Sequence, residues 1–235
     1  MRTLATHVGP FTERPYYSLA ELETLCAHEL SSMDLMPTTP KPIRIERFVE
    51  KRFKVTPRYD ELPADVMGYT VFGPDGVREI VISRSLDESN EVYAEGQVRT
   101  TIAHEAGHGL LHAHLFAVYR PKKSLFGDYS DPDKPKVLCR EVTGNNRKVT
   151  SYDGRWWEYQ ANKAIGSLLM PKALVHEAVR PFLTHRGLIG LSTLAADNRE
   201  TAARELARIF QVNAIVARIR LTDLFPAEDG GQLSL

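Results

Sequence analysis

The stretch Thr101-Ile102-Ala103-His104-Glu105-Ala106-Gly107-His108-Gly109-Leu110-Leu111-His112 contains the pattern H-E-x-x-H, with a glutamate beside the first of two histidines. On an α-helix four residues turn about 400°, so His104 and His108 project from one face, one turn apart. Two imidazoles in this arrangement can hold one Zn²⁺. Glu105 lies about 100° around the helix, where it can reach a water on the metal without being a ligand.

The residues around this motif are typical of a helix buried beneath an active site. Gly107 and Gly109 cost a helix about 1 kcal/mol each relative to alanine. We interpret them as positions where another backbone approaches closely. So short a motif can occur by chance, but the apolar neighbours argue against chance here: Ile102, Ala103, Ala106, Leu110 and Leu111.

The composition indicates a globular protein without a general attraction to nucleic acid. Of the 235 residues, 43% are hydrophobic, enough for a sizeable core in one large domain or in a domain with a small appendage. Thirty lysines and arginines balance thirty aspartates and glutamates, so the formal net charge is zero. This balance removes the broad electrostatic argument for nucleic-acid binding, but it does not exclude a local basic face.

Cysteine usage and the N-terminus predict a cytoplasmic protein. The two cysteines, Cys26 and Cys139, form no disulfide framework, and so few thiols fit a reducing compartment. Residues 1–17 lack the apolar segment of a signal peptide, and no apolar run approaches the ~18 residues of a membrane span. Cys26 is interpreted as a small buried hydrophobe.

The first third of the chain predicts an irregular lead-in, two helices and a hairpin. Residues 1–17 are the lead-in, and Ser18 with Glu21 forms a capping box that starts a helix over 19–31. Apolar spacing between residues 43 and 53 predicts a second helix. Residues 69–72 and 78–82 flank Gly-Pro-Asp-Gly turn chemistry and predict a β-hairpin.

The middle of the chain holds the motif helix and a long connection. Residues 84–96 are polar and predict a loop, and the motif helix is expected over 97–118. Residues 121–155 are poor in core residues, and a connection of this length is usually functional or disordered. Val137-Leu138-Cys139 and Lys148-Val149-Thr150 could form a second, weaker hairpin. Cys139 is interpreted as a partly buried thiol; the alternative is a thiolate that caps the open zinc position.

A catalytic zinc needs a third protein ligand and an open position. His112 lies about 12 Å along the helix axis from His104, too far to share one metal, so it should support a ligand or lie at the surface. His114 is expected to face solvent.

Glu158 falls on or beside the apolar stripe of a helix predicted over 155–170, where an unpaired charge is costly and a metal would be its partner. The alternative for Glu158 is a capping or salt-bridging surface glutamate.

The C-terminal part predicts two helices with a tight turn near residues 211–213, similar to a helix-turn-helix pair. These helices have too many apolar positions for a DNA-binding unit that stands apart from the rest of the protein. We expect the following apolar side chains to pack on the core: Ala202, Leu206, Ile209, Val212, Ile215, Val216 and Ile219. We expect four arginines to be partly solvated: Arg204, Arg208, Arg218 and Arg220.

Two motifs together, T-I-A-H-E-A-G-H-G-L-L-H and W-E-Y-Q-A-N-K-A-I-G-S-L-L-M-P, resemble the ImmA/IrrE family of metallo-endopeptidases. The stretches P-I-R-I-E-R-F-V-E-K-R-F-K-V and L-P-A-D-V-M-G-Y-T-V-F also resemble this family, and the likeness covers roughly residues 18–222. It implies that His104, His108 and Glu158 are zinc ligands and that Glu105 is the general base. It also implies bacterial or phage regulatory proteolysis, and hence a role in transcription regulation, with a helix-turn-helix repressor as the typical substrate.

The expected fold class is therefore α+β: a zincin-like core of a small antiparallel sheet, the H-E-x-x-H helix and the glutamate helix, with helix-turn-helix-like C-terminal helices. We divide the chain into a lead-in at 1–17, a protease domain at 18–190, a helical extension packed on the core at 191–225, and a tail at 226–235.

Three functions remain open from the sequence. The first is a regulatory zinc endopeptidase. One alternative is a DNA-binding regulator, although we expect this chain to bind no nucleic acid in a sequence-specific way. The other is a zinc-stabilised interaction module without turnover, such as a toxin/antitoxin-like partner. An intact Glu105 favours the first, because a structural site needs no base. The donor to the transition state is left open among Tyr93, Tyr152, His176 and His185.

Overall fold

The computed structural model describes residues 2–5, 13–64, 66–87, 94–118, 136–140, 156–186 and 191–226, with backbone alone at 87, 116–118, 136–140, 185, 186, 191 and 192. The fold is mixed α+β. Its elements in chain order are β1 (Arg2–Ala5), β2 (Glu13–Tyr16), α1 (Leu19–Ser32), α2 (Ile45–Phe53), β3 (Arg58–Asp60), β4 (Val66–Gly73), β5 (Gly76–Ser83), α3 (Arg84–Asp87), α4 (Ala94–Val118), β6 (Lys136–Arg140), α5 (Trp156–Leu169), α6 (Lys172–Val179), a 3₁₀ turn (Arg180–Phe182), β7 (Leu183–Arg186), β8 (Leu191–Leu194), α7 (Ala196–Phe210) and α8 (Ala214–Leu224).

The N-terminal residues correct one prediction and confirm another. Residues 2–5 and 13–16, expected to be irregular, pair as the antiparallel strands β1 and β2. Helix α1 begins as predicted: the Ser18 side chain accepts a hydrogen bond from the Glu21 backbone, and the Glu21 carboxylate accepts one from the Ser18 backbone. On the inner face of α1, Cys26 is fully buried, as expected, and burial raises the pKa of its thiol to about 12.

A four-stranded sheet in the order β3-β5-β4-β6 supports the motif helix. The predicted hairpin is present as β4 and β5, and Gly76 in its turn has a φ of 112°, a conformation that favours glycine. β3 runs parallel to β5, whereas β6 runs antiparallel to β4. The predicted partner of β6 at 148–150 lies outside the described residues, and the pairing that the structure does describe for β6 is with β4.

Helix α4 lies between this sheet and helix α5, at close range on both sides. A Cβ added at Gly68 of β4 would come within 2.9 Å of Thr101 Cγ2, and one added at Gly107 within 3.1 Å of the Ala161 carbonyl oxygen on α5. Gly107 therefore permits the close backbone approach that the sequence led us to expect, whereas the same prediction is wrong for Gly109, where the nearest atoms belong to side chains. The helix is longer than predicted, since it begins at Ala94. Residues 84–87, expected to be loop, form α3, and residues 88–93 lie outside the described part of the chain.

The C-terminal helices α7 and α8 share the hydrophobic core of the rest of the fold. Ala202, Leu206, Val212 and Val216 are buried, as we expected. Ile215 and Ile219 are not: they are 46% and 41% exposed, because they lie on the outer face of α8.

Arg220 corrects the prediction that all four C-terminal arginines are partly solvated. It is buried, its Nη2 donates to Glu23 Oε2 at 2.8 Å, and its Nε donates to the Met170 carbonyl at 3.0 Å. Glu23 also accepts a hydrogen bond of 2.7 Å from Ser167 Oγ. This buried ion pair joins α8 to α1 and to the end of α5.

Among the helices that the structure describes, none is long and apolar enough to cross a membrane.

Candidate metal centre

Two buried helices bring the three predicted metal ligands together. His104 and His108 lie on α4 and are 1% and 0% exposed, because this face of the helix packs against α5. Glu158, in the first turn of α5, faces them across that contact, and its side chain is 14% exposed. The spacing of four on one helix and the crossing of a second helix are the arrangement that the sequence predicted.

The donor atoms of this group are spaced as a single metal ion requires. His104 Nε2 lies 3.0 Å from His108 Nε2 and 3.1 Å from Glu158 Oε2, and the third side of the triangle, from His108 Nε2 to Glu158 Oε2, is 3.7 Å. A tetrahedral ion with ligands at about 2.0–2.1 Å separates its donor atoms by about 3.4 Å. The group His104, His108 and Glu158 could therefore hold a metal ion.

The protonation states of these side chains suit a cation. Burial alone would raise the pKa of the Glu158 carboxyl, but the adjacent His104 and His108 side chains outweigh this effect and hold the pKa below its ordinary value. Burial lowers the pKa of His108. At neutral pH the site thus presents a carboxylate and a neutral imidazole, the forms that bind metal.

Each histidine has a polar partner at its other ring nitrogen. Asn162 Oδ1 lies 3.0 Å from His104 Nδ1, so it can accept the proton of this nitrogen and leave Nε2 directed at the site. Such partners orient metal-binding histidines. Asn162 was not identified from the sequence, although a signal was present: it lies four residues after Glu158, on the same face of α5.

His108 is supported through a longer series of contacts. Its Nδ1 lies 3.0 Å from His112 Nδ1, His112 Nε2 lies 3.0 Å from Gln160 Oε1, and Gln160 Nε2 donates to the Pro15 carbonyl at 2.6 Å. His112 is thus buried against the candidate ligand His108, as one alternative predicted, and the other alternative, a surface position, is wrong. Gln160 and Pro15 carry no sequence signal for this role.

Glu105 lies beside the ligand group but outside it. Its side chain is fully buried, and Thr70 Oγ1 on β4 donates to Glu105 Oε2 at 2.7 Å. A carboxylate held in this way next to His104 can accept a proton if water enters the site. Thr70 was missed because nothing in a strand sequence indicates which helix residue will face it.

Of the remaining candidates, His114 and His176 fall outside this cluster. His114 is exposed, as predicted. His176 packs on Phe225 with ring centroids 4.8 Å apart, and among the described contacts none joins it to the three candidate ligands. Tyr93, Tyr152 and the side chains of Cys139 and His185 lie outside the described part of the protein, so the thiol and donor hypotheses for them stay predictions.

Comparison with models of known protein families finds no match to this chain, and comparison with curated proteins finds none either. The likeness to ImmA/IrrE peptidases therefore rests on the sequence stretches quoted above.

Proposed function

We propose that this protein is a regulatory, zinc-dependent endopeptidase of the ImmA/IrrE type, which acts in the cytoplasm on a protein substrate such as a helix-turn-helix repressor. The observation that carries the proposal is the cluster of His104, His108 and Glu158, with the carboxylate of Glu105 held beside it. The helix bearing H-E-x-x-H, packed between a small sheet and a second helix that contributes the glutamate, is consistent with a zincin-like core.

The donor set favours zinc and hydrolysis over a purely structural role. Two histidines and one carboxylate are a ligand set of catalytic zinc, whereas structural zinc is usually closed by four protein ligands. When bound, Zn²⁺ supplies a Lewis acid that polarises a carbonyl and lowers the pKa of water.

The roles of the chain's own residues follow from their positions. Glu105 accepts a proton from water and later delivers it to the leaving amine. The Thr70 hydroxyl orients that carboxylate through the hydrogen bond to Oε2. Glu158 provides the negative charge that offsets the cation, and Asn162 keeps His104 Nε2 directed at the metal.

The substitution Glu105→Gln tests the proposal. It keeps the size of the side chain and all three candidate ligands, so zinc content should equal that of the wild type. Cleavage of a helix-turn-helix repressor offered as substrate should be lost. If this variant has both a normal zinc content and a near-wild-type cleavage rate, the protease mechanism is wrong. If the wild-type protein binds no zinc, the assignment of the metal site is wrong.

One observation favours a second candidate, an interaction module stabilised by zinc without turnover. Ile215 and Ile219 lie one turn apart on the outer face of α8 and are both substantially exposed, and such side chains could contact a partner protein. Stable complex formation with the repressor in the presence of zinc, without cleavage of it by the wild-type protein, would support this alternative.

A further inference from the structure

We propose that His112, Gln160 and the backbone carbonyl of Pro15 form a hydrogen-bond chain of fixed direction that holds His108 in the tautomer suited to metal binding. Residues 13–16 of β2 are then a positioning element of the metal centre, although they lie about 90 residues before it in the sequence. This inference rests on the proposed metal site and adds to it the residues that prepare His108.

The contacts are continuous and shielded from water. The three links measure 3.0, 3.0 and 2.6 Å, from His108 through His112 and Gln160 to Pro15. His108 and His112 are fully buried, and Gln160 is 7% exposed. In such an environment a polar group that loses its partner is costly, at about 1–3 kcal/mol, so the chain favours one fully satisfied arrangement.

The direction of the chain is determined at its outer end. A carbonyl oxygen only accepts hydrogen bonds, so the atom of Gln160 that faces Pro15 must be the amide nitrogen. The amide oxygen of Gln160 therefore faces His112 and accepts from it. Gln160 is thus oriented by the backbone of β2.

The same reasoning continues through both imidazoles. Because Gln160 Oε1 can only accept, the proton of His112 resides on Nε2. An imidazole with its single proton on Nε2 has a lone pair on Nδ1, so Nδ1 of His112 accepts from His108. His108 therefore carries its proton on Nδ1, and the lone pair of its Nε2 faces His104 and Glu158, where a cation would bind.

His104 does not depend on this chain. Its Nδ1 contacts Asn162 directly, at 3.0 Å. The two candidate ligands on α4 are thus oriented by separate partners, both of which reach α5. Among the contacts that the structure describes, it is the path from His108 that continues to the N-terminal strand, so this path is lost if β2 moves away from Gln160.

A packing role for His112 must be separated from a hydrogen-bonding role. Its ring meets Trp156 edge to face, with centroids 5.5 Å apart. His112→Phe keeps an aromatic ring at this contact and removes both nitrogens. His112→Asn gives up the ring but places an amide oxygen near the position of Nδ1, where it can accept from His108. Gln160→Leu breaks the chain one link further out, and His114→Ala is a matched control on the exposed part of the same helix.

The first measurement is the Zn²⁺ dissociation constant of each full-length variant, determined by competition with a chelator. We expect binding to weaken about 10- to 100-fold in His112→Phe, to return close to the wild-type value in His112→Asn, to weaken less in Gln160→Leu, and to be unchanged in His114→Ala. If His112→Phe fails to fold, as judged by circular dichroism, the comparison of His112→Asn with Gln160→Leu provides the test.

The second measurement is the tautomer of His108 in the metal-free protein, read from the imidazole nitrogen shifts by NMR. We expect the proton on Nδ1 in the wild type and in His112→Asn, and a mixture of tautomers in His112→Phe and Gln160→Leu. An unchanged His108 tautomer with unchanged zinc affinity in the last two variants overturns the inference. If the wild-type protein binds no zinc, the proposed function fails, while the tautomers still decide whether the chain orients His108.

Discussion

Thr70 Oγ1 donates a hydrogen bond of 2.7 Å to Glu105 Oε2, and this contact joins the sheet to the proposed general base across 35 residues of sequence. The carboxylate of Glu105 is buried, so its orientation depends on the few donors that reach it. The hydroxyl of a strand residue thereby becomes part of the site.

We expect Thr70→Val to slow proteolysis about 10- to 100-fold without loss of zinc, because the substitution preserves the shape of the side chain and removes only the donor to Glu105. Cleavage rate and metal content are measured on the same preparation. Thr70→Ser, which keeps the hydroxyl, is the control and should retain most of the rate. A Thr70→Val protein as fast as the wild type would contradict this role.

Glu158→Ala should lose zinc. The substitution removes one of three donors and the negative charge that faces the cation. After dialysis against a chelator, we expect near one zinc per chain in the wild type and near none in this variant, and added zinc should no longer raise its melting temperature. Glu177→Ala, at an exposed position on α6, serves as control. Loss of zinc from a His112 variant but not from Glu158→Ala would refute the ligand assignment.

Arg220→Met should lower the free energy of unfolding by about 3–5 kcal/mol, because it leaves the Glu23 carboxylate buried without its main partner. Replacing both residues with methionine should recover much of this loss. Arg218→Met is the control, since Arg218 pairs with Glu200 at the surface, and we expect little change. Urea unfolding measures all three, and an Arg220→Met protein as stable as the wild type would contradict the assigned role.

The same pair predicts a pH dependence of stability. Burial raises the pKa of Glu23, but the hydrogen bonds from Arg220 and Ser167 outweigh it, and the net direction is a pKa below the ordinary 4.5. A folded-state pKa below the unfolded one means that the pair stabilises the protein fully above about pH 4.5 and loses this effect as the pH falls through the folded value. Between pH 6 and pH 3.5 the wild type should therefore lose more stability than Glu23→Gln. Parallel stability curves for the two proteins would show that Glu23 does not contribute in this way.

We expect no sequence-specific duplex binding by this chain alone at physiological salt. Three arginines of the C-terminal helices are already engaged: Arg220 is buried, Arg208 pairs with Glu205 at 2.6 Å, and Arg218 pairs with Glu200 at 2.7 Å. Little unbalanced positive charge is left on this face for phosphate contacts.

The measurement is a band shift at about 150 mM salt, where nonspecific contacts are largely screened. A combined Arg204→Ala and Arg208→Ala variant serves as control for weak binding at low salt, because both side chains are exposed. A tight and sequence-dependent shift with the wild type would instead favour the DNA-binding alternative.

Local sequence determined those features whose physics is itself local. The capping box at Ser18 involves residues three positions apart, and the turn between β4 and β5 depends on the conformational freedom of Gly76. The common face of His104 and His108 follows from the helical repeat, and Glu158 could be selected because a carboxylate beside an apolar stripe needs a partner.

Tertiary structure decided which side chains complete the site. Thr70 and Pro15 contact it from strands, and the periodicity of a strand indicates which face is buried but not which helix atom lies opposite. Gln160 lies only two residues after Glu158 and reaches the site through His112, a path that helical spacing does not predict. Arg220 was expected in solvent because its partner, Glu23, lies 197 residues away in the sequence. Whether a charge can be buried depends on partners that only the folded chain brings within reach.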